Sequence, residues 1–169
     1  MGSESSQNNQ NNQNNQSNGK GLLGTNAVVQ IGIVVNDIEK TAERYAELFG
    51  IEKPKWAWTD PLDKARTEFA GQPTEARAKL AFIDAGQLQI ELIEPDGHPS
   101  TWRQFLDEHG EGVHHVAFFV KGMQDKIAAL SASGMPLVQK GEYTGGRYAY
   151  IDSFDQLKVM IELLENDNG

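Results

Sequence analysis

Four polar residues occupy matched places inside apolar runs of this chain: Gln30, Glu91, His115 and Glu162. Glu91 lies between Ile90 and Leu92, and Glu162 between Ile161 and Leu163. A carboxylate in such a run is costly to bury unless it is paired or bound to a cation. One amide oxygen, one imidazole and two carboxylates make an N/O ligand set without sulfur. That set suits one divalent zinc, nickel, cobalt, manganese or iron ion. A six-coordinate ion with these four ligands keeps two positions for water or substrate oxygens. It acts as a Lewis acid and eases proton removal from a carbon beside a carbonyl. A glutamate that loosens from the ion is a candidate base, so Glu162 and Glu91 are the candidate catalytic residues.

Each residue taken singly has a plainer reading. A lone strand histidine is more often structural, and a lone glutamate is often an outward-facing edge residue. The matched placement is what counts. QIGIVV at 30–35 aligns with HVAFFV at 115–120, and QIELIE at 89–94 aligns with MIELLE at 160–165. Gln30 and Glu91 stand 61 positions apart, His115 and Glu162 47, and the surplus fits inside a polar loop over 60–74. Alternate strand residues share a face. Gln30 therefore shares its face with Gly32, and His115 with Ala117, which leaves room for a bulky group. The opposite faces, Ile31/Ile33/Val35 and Val116/Phe118/Val120, are apolar and should pack beneath helices. His114 is then expected on the opposite face, as a structural or supporting residue.

The elements that must position these residues follow from the same patterns. The β-branched run 27–35 predicts a strand. Asn36 or Asp37 caps a helix ended by Gly50, with Ile38, Ala42, Tyr45, Ala46 and Phe49 at helical spacing. Residues 54–59 predict a short strand, and 78–84 and 87–94 two more around an Ala85-Gly86 turn. Ser100 or Thr101 caps a helix ended by Gly110, with Trp102 and Phe105 in its core face. A strand over 113–120, a helix over 123–133 and strands over 137–143, 147–152 and 158–165 complete the chain. This is an α+β fold of two tandem βαβββ modules, about 25–97 and 112–166, joined by a short helix. Residues 1–24 are read as a disordered Asn/Gln-rich tail or linker, because an apolar-free tract cannot offset its ordering entropy.

The composition narrows the function classes. The net charge is −9 over 169 residues, with no basic cluster, so a nucleic-acid footprint is absent. The chain has no cysteine, which excludes disulfides, thiolate ligands and a thiol nucleophile. No apolar run is long enough to span a bilayer, and no secretory signal pattern is seen. The expectation is a cytoplasmic protein without membrane partners.

The segments QIGIVVNDIEKTAERYAELFGI, QIELIEP, GEGVHHVAF and VMIELLE together resemble the vicinal oxygen chelate superfamily of glyoxalases, bleomycin resistance proteins and dioxygenases. That resemblance implies a curved mixed sheet around a metal cavity, usually in homodimers, with Gln30, Glu91, His115 and Glu162 at the ligand positions. The stretch IELIEPDGHPSTWRQFLDEHGEGVHHVAF and the TGG at 144–146 are similar to methylmalonyl-CoA epimerases. Those epimerases usually have histidine where Gln30 stands, and some carry a catalytic glutamate near the place of Lys79. Glyoxalase I enzymes can carry glutamine at the first position, yet their Asn-Trp-Gly run is absent here, and EPDG and DSFDQLK stand where their own motifs would be. The resemblance implies a metal-dependent isomerase, epimerase or lyase acting by proton abstraction next to a carbonyl or thioester. An acyl-CoA or a hemithioacetal, as for a lactoylglutathione lyase, is the candidate substrate. The alternatives are metal-free sequestration of a small molecule, as in drug resistance, and an Fe²⁺ dioxygenase, against which Gln30 argues. Arg147, Tyr148 and Tyr150, after the glycine turn, are candidate substrate contacts. Trp56, Trp58 and Arg66 flank the long loop and are candidates for the cavity opening, with ordinary packing as the other reading.

Overall fold

The computed structural model describes residues 21–168. Most of the expected Asn/Gln-rich tail lies outside them. Strand β1 (Gln30–Val34) leads into helix α1 (Ile38–Phe49). Asp37 caps α1 by accepting a hydrogen bond from the Lys40 amide, and Gly50 ends it in the left-handed region. Next come β2 (Trp56–Trp58), the single-turn α2 (Leu62–Ala65), and the short strands β3 (Glu68–Phe69) and β4 (Gln72–Pro73). Strands β5 (Ala78–Asp84) and β6 (Gln89–Pro95) precede α3 (Thr101–His109), which Ser100 caps through the Arg103 amide. The second half runs β7 (Gly112–Phe119), α4 (Met123–Ala132), β8 (Leu137–Tyr143), β9 (Gly146–Ile151), the short α5 (Phe154–Leu157) and β10 (Met160–Asn166).

All ten strands form one strongly curled sheet in the order β2-β5-β6-β1-β7-β10-β9-β8-β3-β4. From β2 to β8 the order reads alike from both ends, with the antiparallel β1–β7 pair at the centre. Each half thus contributes first, fourth, third and second strand outward from that pair. This is the α+β architecture of paired βαβββ modules that the repeat predicted, with the curved sheet that the resemblance implied. Outer-face residues pack under helices as the patterns require. Val35, Ala81, Ile83 and Leu92 meet Ile38 and Ala42 of α1, and Val120, Ile161 and Leu163 meet Met123 and Leu130 of α4. Helix α3 covers part of the inner face, with Trp102 and Leu106 against Val34, Ile93 and Tyr150.

The segment over 60–74 differs from a plain loop. After α2 it forms the β3–β4 hairpin, which crosses to the far edge and pairs with β8, Glu68 opposite Lys140 and Phe69 opposite Gln139. The first half therefore straps onto the second and helps close the cup. Ala70 and Gly71 both have positive φ, the geometry of a two-residue hairpin turn. An Ala-Gly pair is a weak signal for that turn, because alanine resists the left-handed region.

Candidate metal centre

Inner-face residues from all eight principal strands line one cavity of about 460 Å³. Gln30, Glu91 and Glu162 lie at its floor, all buried, with His115 wholly buried beside them. β1 contributes Gln30, β6 Glu91, β7 His115 and β10 Glu162. The pairings β1–β6, β1–β7 and β7–β10 place these four strands side by side. The four residues singled out in the sequence therefore converge.

Their atoms converge on His115 Nε2. Glu162 Oε2 stands 3.0 Å from it, Gln30 Oε1 3.3 Å and Glu91 Oε2 3.4 Å. Ligands about 2.1 Å from a common ion would be about 3.0 Å apart at right angles and about 3.4 Å apart in a tetrahedron. The observed separations fit that range. Ligand atoms of Glu91, His115 and Glu162 all lie within 4.8 Å of one another. Glu91 Oε2 and Glu162 Oε2 are both inaccessible, and among the described residues His115 is the one group placed to donate to them. Two buried carboxylates that share a single imidazole are strongly unfavourable as charged groups unless a cation sits among them. The residues present therefore fit a divalent metal. Gln30 is oriented for it: its Nε2 donates to Gln89 Oε1 at 2.7 Å, which turns Oε1 toward His115.

The electrostatics follow from burial. Desolvation, reinforced by the Glu162 charge and opposed by His115, pushes the Glu91 carboxyl up to about 8. Burial works against a charged His115, but Glu162 and Glu91 outweigh it and raise its pKa. Burial and the neighbouring His115 hold His114 well below its ordinary value. Tyr148 and Tyr150 are raised by burial, so both remain neutral hydroxyls.

Two local features differ from simple strand alternation. Gly32 pairs with His115 and Ile33 with Val113, so His114 is the extra residue of a β-bulge. The bulge brings His114 inward, against Phe105 and Tyr150, instead of to the opposite face. His114 Nδ1 then lies 3.0 Å from His115 Nδ1. With an ion on His115 Nε2, the proton of that ring would sit on Nδ1 and be donated to His114, the kind of support that orients a metal-binding histidine. The space above Gly32 is also not left open. The His115 ring itself lies across it.

Among the expected substrate contacts, Tyr148 and Tyr150 line the cavity. Tyr150 is buried, with its ring 5.1 Å from His115 and its hydroxyl accepting from Trp102 Nε1 at 3.0 Å. Arg147 is not brought in. It sits on the alternate face of β9, paired with Glu165 at 2.7 Å and with Asp167. Lys79 also lies away from the cavity, on Glu94 at 2.7 Å and over the Trp56 ring. Trp58 lines the opening, Trp56 instead donates to Glu39, and Arg66 sits outside, 3.5 Å from Glu142. Trp102 is core, as expected, and also meets the cavity. Phe82, Phe119 and Thr67 were missed. Phe82 was within reach of the sequence, because it pairs with Glu91 across an antiparallel ladder and so shares its face.

The sequence profile of the glyoxalase/bleomycin resistance protein/dioxygenase superfamily matches residues 29–151. The chain belongs to that superfamily. The matched range holds Gln30, Glu91 and His115, while Glu162 lies beyond it. YqjC of Bacillus subtilis (strain 168), an uncharacterised protein, is 28% identical over 145 residues, which is 83% of this chain and 92% of that one. Among solved structures, methylmalonyl-CoA epimerase from Mycobacterium tuberculosis is similar at 25% identity and a TM-score of 0.57, covering 83% of this chain and 87% of that one. A Streptomyces coelicolor methylmalonyl-CoA epimerase in complex with 2-nitronate-propionyl-CoA shares the fold at 22% identity and a TM-score of 0.57, covering 83% and 97%. Among the described residues, no helix is long and apolar enough to cross a membrane.

Proposed function

We propose that this chain is a metal-dependent isomerase, epimerase or lyase that removes a proton from a carbon next to a carbonyl or thioester. The observation that carries this reading is the pair of buried carboxylate oxygens of Glu91 and Glu162 that share one imidazole, His115 Nε2, at the floor of a cavity. Gln30 Oε1, Glu91, His115 Nε2 and Glu162 would hold one zinc, nickel, cobalt, manganese or iron ion. Such an ion supplies a Lewis acid that lowers the cost of negative charge on a carbonyl oxygen.

Glu162 and Glu91 are the bases. Both sit at the floor, where a substrate carbon beside the carbonyl would lie. A carboxylate that loosens from the ion would accept that proton, and both glutamates stand at the floor where it is released. The neutral hydroxyls of Tyr148 and Tyr150 lie along the wall as positioning groups. The similarity to methylmalonyl-CoA epimerases supports this reaction class. The buried carboxylates weigh against metal-free sequestration, since they would gain nothing in a pocket built only for packing.

The test is solvent exchange. Protein loaded with zinc, cobalt or nickel is incubated in D2O with methylmalonyl-CoA, 2-methylacetoacetyl-CoA or the hemithioacetal of phenylglyoxal and glutathione. Deuterium should enter the α-carbon of at least one compound above the protein-free rate. No such exchange in protein shown to carry metal would contradict the reading.

A further inference from the structure

The wall of the cavity carries acids and no cation. Among the described residues lining it, the charged side chains are Asp60, Glu91, Glu142 and Glu162, with no lysine, arginine or histidine. A divalent ion would balance Glu91 and Glu162. Asp60 would then remain without an ion-pair partner among the described residues, and Glu142 with only an exposed partner at the rim. The basic residues near the rim are held by other groups and are not part of the lining. Arg66 reaches Glu142 at 3.5 Å, but both side chains are largely exposed, where such pairs contribute little. Arg77 donates to the Thr59 carbonyl and Lys79 is held by Glu94; both cations lie over the Trp58 ring, at 5.5 and 5.6 Å from its centre.

The remaining surface is aromatic. Trp58, Phe82 and Phe119 line the cavity while 44%, 47% and 48% exposed, and Tyr148 and Tyr150 form its deeper wall. Three large exposed aromatics on one concave surface are the mark of a surface that an apolar ligand covers. Between such low-dielectric walls, charge of one sign repels a like-charged group more strongly than it would in water.

We infer that the substrate group admitted here is uncharged and apolar: a neutral carbonyl compound bearing an aryl or branched alkyl group, its negative character confined to the oxygens that face the metal centre. This rests on the proton-abstraction reading above and sharpens it. The methylmalonyl group carries a free carboxylate, so it is the kind of group this cavity disfavours.

The test uses two chelators of equal reach, 4-carbamoylbenzohydroxamic acid and 4-carboxybenzohydroxamic acid, titrated calorimetrically into the zinc-loaded full chain. The uncharged compound should bind at least about tenfold more tightly, and the gap should narrow in Asp60→Asn/Glu142→Gln. Equal or tighter binding of the carboxylated compound would overturn the inference. So would a gap that the double variant leaves unchanged, or binding of neither compound. The pair benzamide and 4-carboxybenzamide, titrated into metal-free chain, separates this inference from the one beneath it. Charge discrimination without zinc uptake upholds the neutral cavity and contradicts the metal centre. Zinc uptake without discrimination does the reverse.

Discussion

The imidazole of His115 lies across Gly32, on the neighbouring strand, so that a Cβ at position 32 would fall on the ring. The closeness of these two residues is what sets Nε2 among Gln30, Glu91 and Glu162. Gly32→Ala should displace the ring and loosen the ligand cluster. Overpacking of this kind costs roughly 1–3 kcal/mol. The expected result is a lower melting temperature and at least about tenfold weaker zinc binding by calorimetry. Wild-type zinc affinity in a folded Gly32→Ala protein would contradict the placement of the ring.

The pH dependence of the metal-free chain has a definite sign. Glu91 holds its proton up to about 8 in the folded chain, against 4.5 ordinarily. As pH rises between those values, the unfolded chain releases that proton first, and stability falls. His115 is raised above 6.5, so its contribution is complete below 6.5 and is lost as pH rises through the folded value. The two act together. His114, held below 6.5, acts oppositely, but only on the acid side, where the unfolded chain gains a proton that the folded chain refuses. Between pH 6.5 and 8 the metal-free protein should therefore lose melting temperature. Zinc-loaded protein should resist that loss, since metal binding favours the deprotonated ligands. A metal-free melting temperature that rises over this window would count against the buried cluster.

His114 is the neighbour that supports His115. His114→Phe keeps an aromatic shape against Phe105 and Tyr150 but removes the acceptor for His115 Nδ1–H. Loss of such a partner typically weakens metal affinity 10–100-fold. The decisive readout is the imidazole nitrogen spectrum of zinc-loaded protein, where the Nδ1–H resonance of His115 should shift in His114→Phe. A purely packing role for His114 would leave that resonance in place.

Arg147 should behave as an outer-face residue. Its partners are Glu165 and Asp167, and Glu165 also accepts from the Met123 amide at the start of α4. Arg147→Ala should leave the melting temperature close to wild type, since exposed ion pairs contribute little, and zinc affinity should stay at the wild-type value. A large loss of zinc affinity would place Arg147 in the site after all.

Much of this was legible in the sequence because the chain repeats itself. Matched glutamates inside IEL triplets can face the same way only if the two halves fold alike, and β6 and β10 do so. Caps at Asp37 and Ser100, with stops at Gly50 and Gly110, set α1 and α3. What escaped the sequence depended on departures from regular alternation or on distant pairing. A bulge turned His114 inward, and nothing in a His-His pair announces a bulge. The β3–β4 hairpin pairs with β8 some seventy residues later, and its Ala70-Gly71 turn carries a weak signal. Arg147 followed a glycine turn into the right strand on the wrong face, one residue from Tyr148. A slip of one residue in a strand exchanges the faces.

The most direct test of the metal centre is the number of ions each chain holds. Full chain stripped with chelator, reloaded with zinc and freed of excess should carry one zinc per chain by elemental analysis. Glu162→Gln and Glu91→Gln should each carry markedly less while remaining folded by circular dichroism. Wild-type protein that retains no zinc, nickel, cobalt, manganese or iron under any loading condition would contradict the account.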